Sequence, residues 1–262
     1  MNRAERLSAV LDLLAESGQV EVEAIVERLD VSPATARRDL DALAQQQLLT
    51  RTRGGAVAHS VAYDLPIRYK NQQNPDAKAA IAQTASALVP RGAVIGLCGG
   101  TTATAIADAL MARADIMEPS HDPGLTVVTN AINIAMQLAM RPQIKAVVTG
   151  GVVHARSYEL VGAYADAVLG NITLDMAFIG VNGIDAEIGP TSHDEREAAV
   201  NALMASRATH AVLVADASKI DKRAFASIGP RRLFSTVITD TAATPAQRQR
   251  LTDAGYDVIV AE

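Results

Sequence analysis

VSPATARRDLDALAQQQLLTRTRGGAV, residues 31–57, decides the architecture of the first part of this chain. Ser32 is a good helix N-cap, and Pro33 takes the first helical position, where its missing N–H costs nothing. Ala36, Leu40 and Leu43 follow at i, i+4 and i+7 and make one apolar stripe. At about 100° per residue, Ala34, Arg37, Arg38, Asp41 and Gln45 fall on or near the opposite face. The spacing predicts a short helix that buries its Ala/Leu side and turns two adjacent arginines to water. Leu49 to Thr52 then reads as a short strand, Arg53-Gly54-Gly55 as a tight turn, and Ala56 to His59 as a returning strand. A helix followed by a small hairpin has the outline of a winged helix-turn-helix.

The residues before it complete that unit. Leu7, Val10, Leu11 and Leu14 form an i, i+3, i+4, i+7 stripe, which Gly18 closes as a C-cap. Val22, Ile25, Val26 and Leu29 repeat the spacing, and Asp30-Val31-Ser32 turns into the third helix. Three short helices with one core suffice for a small DNA-binding head, whose third helix fits a major groove about 12 Å wide. Charge is sorted to match: residues 1–30 carry three Arg against seven Asp/Glu, residues 31–60 four Arg against two Asp. A chain of net charge −5 repels phosphate on average, so contact with duplex DNA must come through this local patch. The candidate DNA-binding residues are Ser32, Thr35, Arg37, Arg38, Arg51, Arg53, Gly54 and Gly55. An isolated Arg pair is most often a solvated face. Here cap, preceding helices and Arg-bearing hairpin coincide, which favours the DNA-binding reading.

At 262 residues the chain can bury one large core or two smaller ones. Three Phe, no Trp and 49% hydrophobic residues imply an Ala/Val/Leu/Ile interior of the α/β kind. No basic stretch precedes an apolar run, and no apolar run approaches the roughly 18 residues a membrane span needs. One cysteine, Cys98, and five scattered His offer no metal-ligand spacing. The expectation is a cytoplasmic protein without metal, cofactor or membrane partner.

Three regions are expected: a head over 1–59, a connecting segment over 60–76 that is polar and broken by Pro66 and Pro75, and a second domain over 77–262. There, helices over Ala79–Leu88, from Thr101 to near Arg113, and over Ala131–Met140, Ala163–Leu169, Asp194–Ser206 and Pro245–Ala254 alternate with apolar runs. Those runs are Ala93–Cys98, Leu125–Thr129, Ile144–Thr149, Met176–Gly180, His210–Ala215, Thr236–Thr239 and Asp257–Val260. Residues 114–124 read as a loop, and Asn130 as a helix cap. Such alternation means a mostly parallel sheet under helices.

Ligands of parallel sheets sit beyond the carboxyl ends of the strands, so the residues just after each strand are the candidate pocket lining. These ends deliver Gly99, Gly100, Thr101 and Thr102; Thr129 and Asn130; Gly151; Asn182 and Gly183; and Asp216 with Lys219. Gly-Gly-Thr-Thr opening a helix suits a phosphate, because glycine lets backbone approach, the helix N-terminus points N–H groups outward and hydroxyls donate. Alone the motif is weak, since strand-to-helix turns need glycine simply to turn. Its repetition points to a small anionic polyol.

With these motifs in order, the chain resembles the DeoR family of bacterial transcriptional regulators over nearly its whole length. VSPATARRDLDAL and RTRGGA match that family's recognition helix and wing. Lys78 with Ile81-Ala82, the Gly-Thr-Thr turn, VVTNA, the TGG ending at Gly151, DMAFIGVNGI, Glu197-Ala198 and VADASK match its sensor half. The resemblance implies a sensor fold shared with ribose-5-phosphate isomerase and CoA-transferase domains. It also implies a homo-oligomeric repressor of carbohydrate catabolism genes, whose operator affinity is changed by a phosphorylated sugar, with Glu197 in the effector site. Arg53 stands where many members carry His, and Asn201 where a Lys often follows the Glu-Ala pair. Residues 65–70 are the expected moving element. A sugar-phosphate isomerase with an accessory head, or an architectural DNA binder, stays open. Against the first, the loop after Met176–Gly180 presents Asn182, an amide that cannot act as a base, though Asp185, Glu195, Glu197 and Asp216 remain as possible bases.

Overall fold

The computed structural model describes residues 1–46, 48–57, 67 and 73–262, apart from the side chains of Ala15 and Glu16. The expected segment 60–76, its residues 65–70 and the end of the returning wing strand fall largely outside the described residues. The chain divides into two units, Met1–Gln73 and Asn74–Glu262.

In the first unit, α1 (Arg3–Ser17) starts on a capping box: Asn2 Oδ1 accepts from Glu5 N at 2.9 Å, and the Glu5 carboxylate accepts from Asn2 N at 2.8 Å. Gly18 stops it in the left-handed conformation at φ 73°. After α2 (Val22–Leu29), α3 (Pro33–Gln45) begins at Ser32, whose hydroxyl accepts from Thr35 N at 3.2 Å. The wing strands are β2 (Thr50–Arg51) and β3 (Gly55–Val57). A third strand, β1 (Gln19–Glu21), joins them in the order β1-β3-β2, with Val20 opposite Ala56. Three residues are too few to show a period of two, so β1 left no pattern to read. Gly55 is what permits it, because any side chain there would collide with the Val20 carbonyl. Leu7, Val10, Leu14, Ile25, Leu40 and Leu43 meet in one buried core. Across it Arg6 Nε donates to Asp39 Oδ2 and Nη2 to Oδ1 at 3.1 Å, pinning α1 to α3 through a buried carboxylate.

The second unit is a seven-stranded parallel sheet. Its strands are β4 (Val94–Leu97), β5 (Leu125–Thr129), β6 (Ile144–Val148), β9 (Leu174–Gly180), β12 (Ala208–Val214), β14 (Thr236–Asp240) and β15 (Asp257–Ala261). Their spatial order is β15-β14-β12-β9-β4-β5-β6. The chain therefore advances one way from β4 and the other way from β9, and the switch lies between these two. Of the crossover helices, α5 (Thr101–Met111) packs against α7 (Ile132–Leu138), α9 (Glu195–Ser206) against β9 and β12, and α10 (Pro245–Asp253) against β15. The right-handed rule for such crossovers assigns the first pair and the second pair to opposite faces. Ile95, Leu97, Val127, Phe178, Ile179 and Leu213 are buried between the layers, as runs covered on both faces require.

Several expectations need correction. The helix expected from Ala79 is α4 (Pro75–Ala87): Pro75 opens it at N1 instead of breaking it. Residues 114–124 are not all loop, since α6 (Ala114–Met117) buries Ile116; four residues are too few for a periodic signal. Asn130 is not a cap: Ala131 takes that position, and the Asn130 amide bonds elsewhere. Two small sheets were not foreseen, the hairpin β7 (Val152–His154) with β8 (Glu159–Val161), and β10 (Gly183–Asp185), β11 (Gly189–Ser192) and β13 (Ala226–Ser227). Between β8 and β9 the short α8 (Tyr164–Leu169) matches the expected helix. No described helix is long and apolar enough to cross a membrane.

Candidate DNA interface and effector crevice

The reading face of α3 follows from its stripe. Ala36, Leu40 and Leu43 are fully buried, so Arg37 and Arg38 are driven to the exposed face. Arg53 is exposed at the wing turn beside Gly54. Among the described residues these three guanidinium groups have no bond, and each keeps five N–H donors to offer. Arg51 differs: its Nε donates to Asp41 Oδ1 at 2.9 Å and its Nη1 to the Gly55 carbonyl. It ties wing to helix. The Ser32 and Thr35 hydroxyls bond each other at 2.9 Å at the start of α3. The Gly54 carbonyl accepts from Val22 N at 2.9 Å, and Gly55 is buried against β1.

In the second unit the switch between β4 and β9 is where open parallel sheets place a ligand crevice, beyond the carboxyl ends of the strands. Gly99 and Gly100 follow β4, and Gly100, at φ 103°, adopts a conformation only glycine takes readily before α5 begins. Thr101 and Thr102 occupy the first turn of α5, half-buried. Glu159 lies directly on Gly99, leaving no room for a side chain there. Its Oε2 accepts from Asn130 Nδ2 at 2.9 Å, and across the hairpin it faces His154. His154 Nδ1 bonds Glu197 Oε1 at 2.6 Å, with Asp194 Oδ2 3.8 Å from Nε2. Glu197 Oε2 is 3.4 Å from Ser192 Oγ, which donates to Asn182 Oδ1 at 3.1 Å. Two sets of side chains thus meet at the hairpin, Glu159 with Gly99 and Asn130, and His154 with Glu197, Ser192 and Asn182. The remaining candidates serve the backbone. Thr129 is fully buried and its hydroxyl accepts from Ala131 N at 3.0 Å; Gly151 and Gly183 sit where backbone crosses too closely for a side chain.

Cys98, at the crevice floor, is buried, and its sulfur accepts from Gly180 N at 3.0 Å. Burial first, then the charges of Glu159 and Glu197, push its thiol pKa far up, so both carboxylates act on the same point. Asp216 and Lys219 lie after β12, two strand spacings (about 10 Å) from β4. There Asp216 Oδ1 accepts from Asn74 Nδ2 at 3.1 Å and from Ser218 N at 3.0 Å. It borders a cleft of about 480 Å³ whose lining includes Asp76, Ser218 and Asp240. That cleft is acidic and does not suit an anion. Among the described residues no His/Cys/Asp/Glu group could hold a metal ion.

Sequence reasoning missed Glu159 and His154. A buried acid and a half-buried histidine look like surface residues in sequence, and their hairpin strands are three residues each.

Head and crevice together define a two-part regulator, a DNA reader joined to a small-molecule sensor. The model of the DeoR-like helix-turn-helix domain matches residues 6–61, and that of the DeoR C terminal sensor domain residues 73–241. The chain belongs to the DeoR family of transcriptional regulators. It is 28% identical over 253 residues to the glycerol-3-phosphate regulon repressor of Escherichia coli, spanning 97% of each chain. It is 32% identical over 257 residues to the HTH-type transcriptional regulator GlpR of Haloferax volcanii, spanning 98% of this chain and 97% of that one. Among solved structures, ribose 5-phosphate isomerase A of Methanocaldococcus jannaschii is similar over 56% of this chain and 55% of its own, at 22% identity and TM-score 0.41.

Proposed function

We propose that this chain is a cytoplasmic, homo-oligomeric repressor of carbohydrate catabolism genes, whose hold on operator DNA changes when a phosphorylated sugar binds the second unit. The observation that carries the DNA half is the set Arg37, Arg38 and Arg53, unbonded among the described residues and exposed on a chain whose net charge is −5. Guanidinium groups left without internal partners are available for phosphate oxygens and guanine edges. Ser32, Thr35, Arg51, Gly54 and Gly55 shape that surface. The effector is held by Gly99, Gly100, Thr101, Thr102, Asn130, Asn182 and Glu197, with Thr129, Gly151 and Gly183 setting the backbone and Asp216 and Lys219 at the border.

The chain binds without turnover. Proton abstraction beside a carbonyl needs a free base; the loop after β9 offers Asn182, an amide already accepting from Ser192 and from His193 N at 3.0 Å, and the crevice carboxylates are bonded, Glu197 to His154 and Glu159 to Asn130. Fluorescence anisotropy with the chain's own promoter duplex tests the whole proposal. Binding at low salt should weaken as salt rises and shift with a phosphosugar. Indifference to the promoter, or brisk isomerisation of a phosphosugar, would overturn it.

A further inference from the structure

The crevice has two chemically opposite ends. One is donor-rich: the first turn of α5 offers N–H groups and the hydroxyls of Thr101 and Thr102. The other is built from acceptors. Asn130 is fully buried, and its Nδ2 faces two acceptors, Glu159 Oε2 at 2.9 Å and the Leu160 carbonyl at 3.5 Å. Flipping the amide would set oxygen against oxygen, so its orientation is fixed. Asn130 Oδ1 is therefore a buried acceptor, and it has no partner among the described residues. Asn133 shows a second such atom, beside the start of α5. Thr104 Oγ1 donates to the Gly100 carbonyl at 2.9 Å and accepts from Asn133 Nδ2 at 2.9 Å, leaving Asn133 Oδ1 buried without a partner among the described residues. Buried acceptors of this kind are costly unless something donates to them.

Resting on the sensor reading, we infer that this acceptor wall, with Glu159 at its centre, selects a singly phosphorylated ligand by its hydroxyl groups and rejects one carrying a second anionic group at that end. Hydroxyls donate to Asn130 Oδ1 and to the carboxylates of Glu159 and Glu197. A second phosphate or a carboxylate brings only acceptors and negative charge against them.

The test is titration calorimetry on the full chain with matched pairs: fructose 6-phosphate against fructose 1,6-bisphosphate, glucose 6-phosphate against 6-phosphogluconate, glycerol 3-phosphate against 3-phosphoglycerate. For whichever monophosphate binds, its doubly anionic partner should bind at least about tenfold more weakly. Glu159→Gln, which still accepts from Asn130 but carries no charge, should cut that ratio to about threefold or less. A doubly anionic partner that binds as tightly as the monophosphate overturns the inference and leaves the sensor reading standing. An unchanged ratio in a folded Glu159→Gln chain overturns the role of Glu159. No binding by any of the monophosphates overturns the sensor reading and the inference with it. The wild-type ratios decide the selectivity even if the variant fails to fold.

Discussion

Asp39→Ala should destabilise the head without touching the sensor. The Asp39 side chain is 3% exposed and Arg6, its partner, 17%. Removing one member of a buried ion pair costs about 3–5 kcal/mol, because a charge is left in low dielectric without compensation. Arg6 keeps some access to water, which brings the expected cost to about 2–4 kcal/mol. A head whose core holds thirteen buried apolar residues has on the order of 3–9 kcal/mol in total, so this loss takes a large share. A chain of two units has no single melting transition, so the assay is amide hydrogen exchange read peptide by peptide. Protection in α1 and α3 should fall by the factor that cost implies, while β4 and β9 keep theirs. Arg6→Met with Asp39→Leu should recover most of the loss, since it removes both charges and keeps the volume. A loss below about 1 kcal/mol, or a double variant no better than the single one, would refute the argument that the stranded charge is what destabilises.

Arg38→Ala should cost about 1–3 kcal/mol of operator binding and relax sequence preference if the side chain reads a base; equal loss on every sequence, with a shallower salt slope in anisotropy titrations, would assign it to phosphate. Asp41→Ala and Arg51→Ala should weaken operator binding by similar small amounts, about 0.2–1 kcal/mol, because either change releases the same partly exposed clamp (Arg51 29%, Asp41 60%). A far larger loss for Arg51→Ala in the same titration would mean that Arg51 itself touches DNA. Asp194 caps α9: burial pushes its pKa up, but the Arg196 guanidinium and the N–H groups of Arg196 and Glu197 outweigh this and hold it below its ordinary value. A depressed carboxyl contributes stability above its unfolded pKa of about 3.9, and that contribution is lost as pH falls through the lower folded value. Exchange protection of α9 should therefore drop below about pH 4, and Asp194→Asn should flatten that dependence.

What could be read from sequence depends on the length of each signal. The stripe Ala36, Leu40, Leu43 with its Ser32-Pro33 start fixes α3 because four independent cues agree within thirteen residues. Leu125–Thr129 is found to the residue because a buried parallel strand is a bare apolar run between turn signals. The three-residue strands β1, β7, β8 and β10 carry no periodicity, and their pairing depends on distant backbone. Gly99, Thr101, Asn130 and Asn182 announce themselves as candidates because they come directly after strands. Glu159 does not, since it reaches the crevice from a side hairpin. Arg51 was legible as an arginine near DNA but not as a clamp: its bond to Asp41 spans ten residues and depends on where the wing folds back.

The hairpin β7–β8 is held to the sheet by Leu160 N donating to the Asn130 carbonyl at 2.6 Å, Ile132 N donating to the Tyr158 carbonyl at 3.0 Å, and the His154–Glu197 bond. It is a faceplate screwed onto a finished frame. Exchanging residues on such a plate retunes what a receptor hears while its scaffold and its grip on the genome stay as they were. The hairpin's outer strand leaves Val152 and Val153 to water, free to change at little cost, while Glu159, Leu160 and Val161 of the inner strand are buried and fixed.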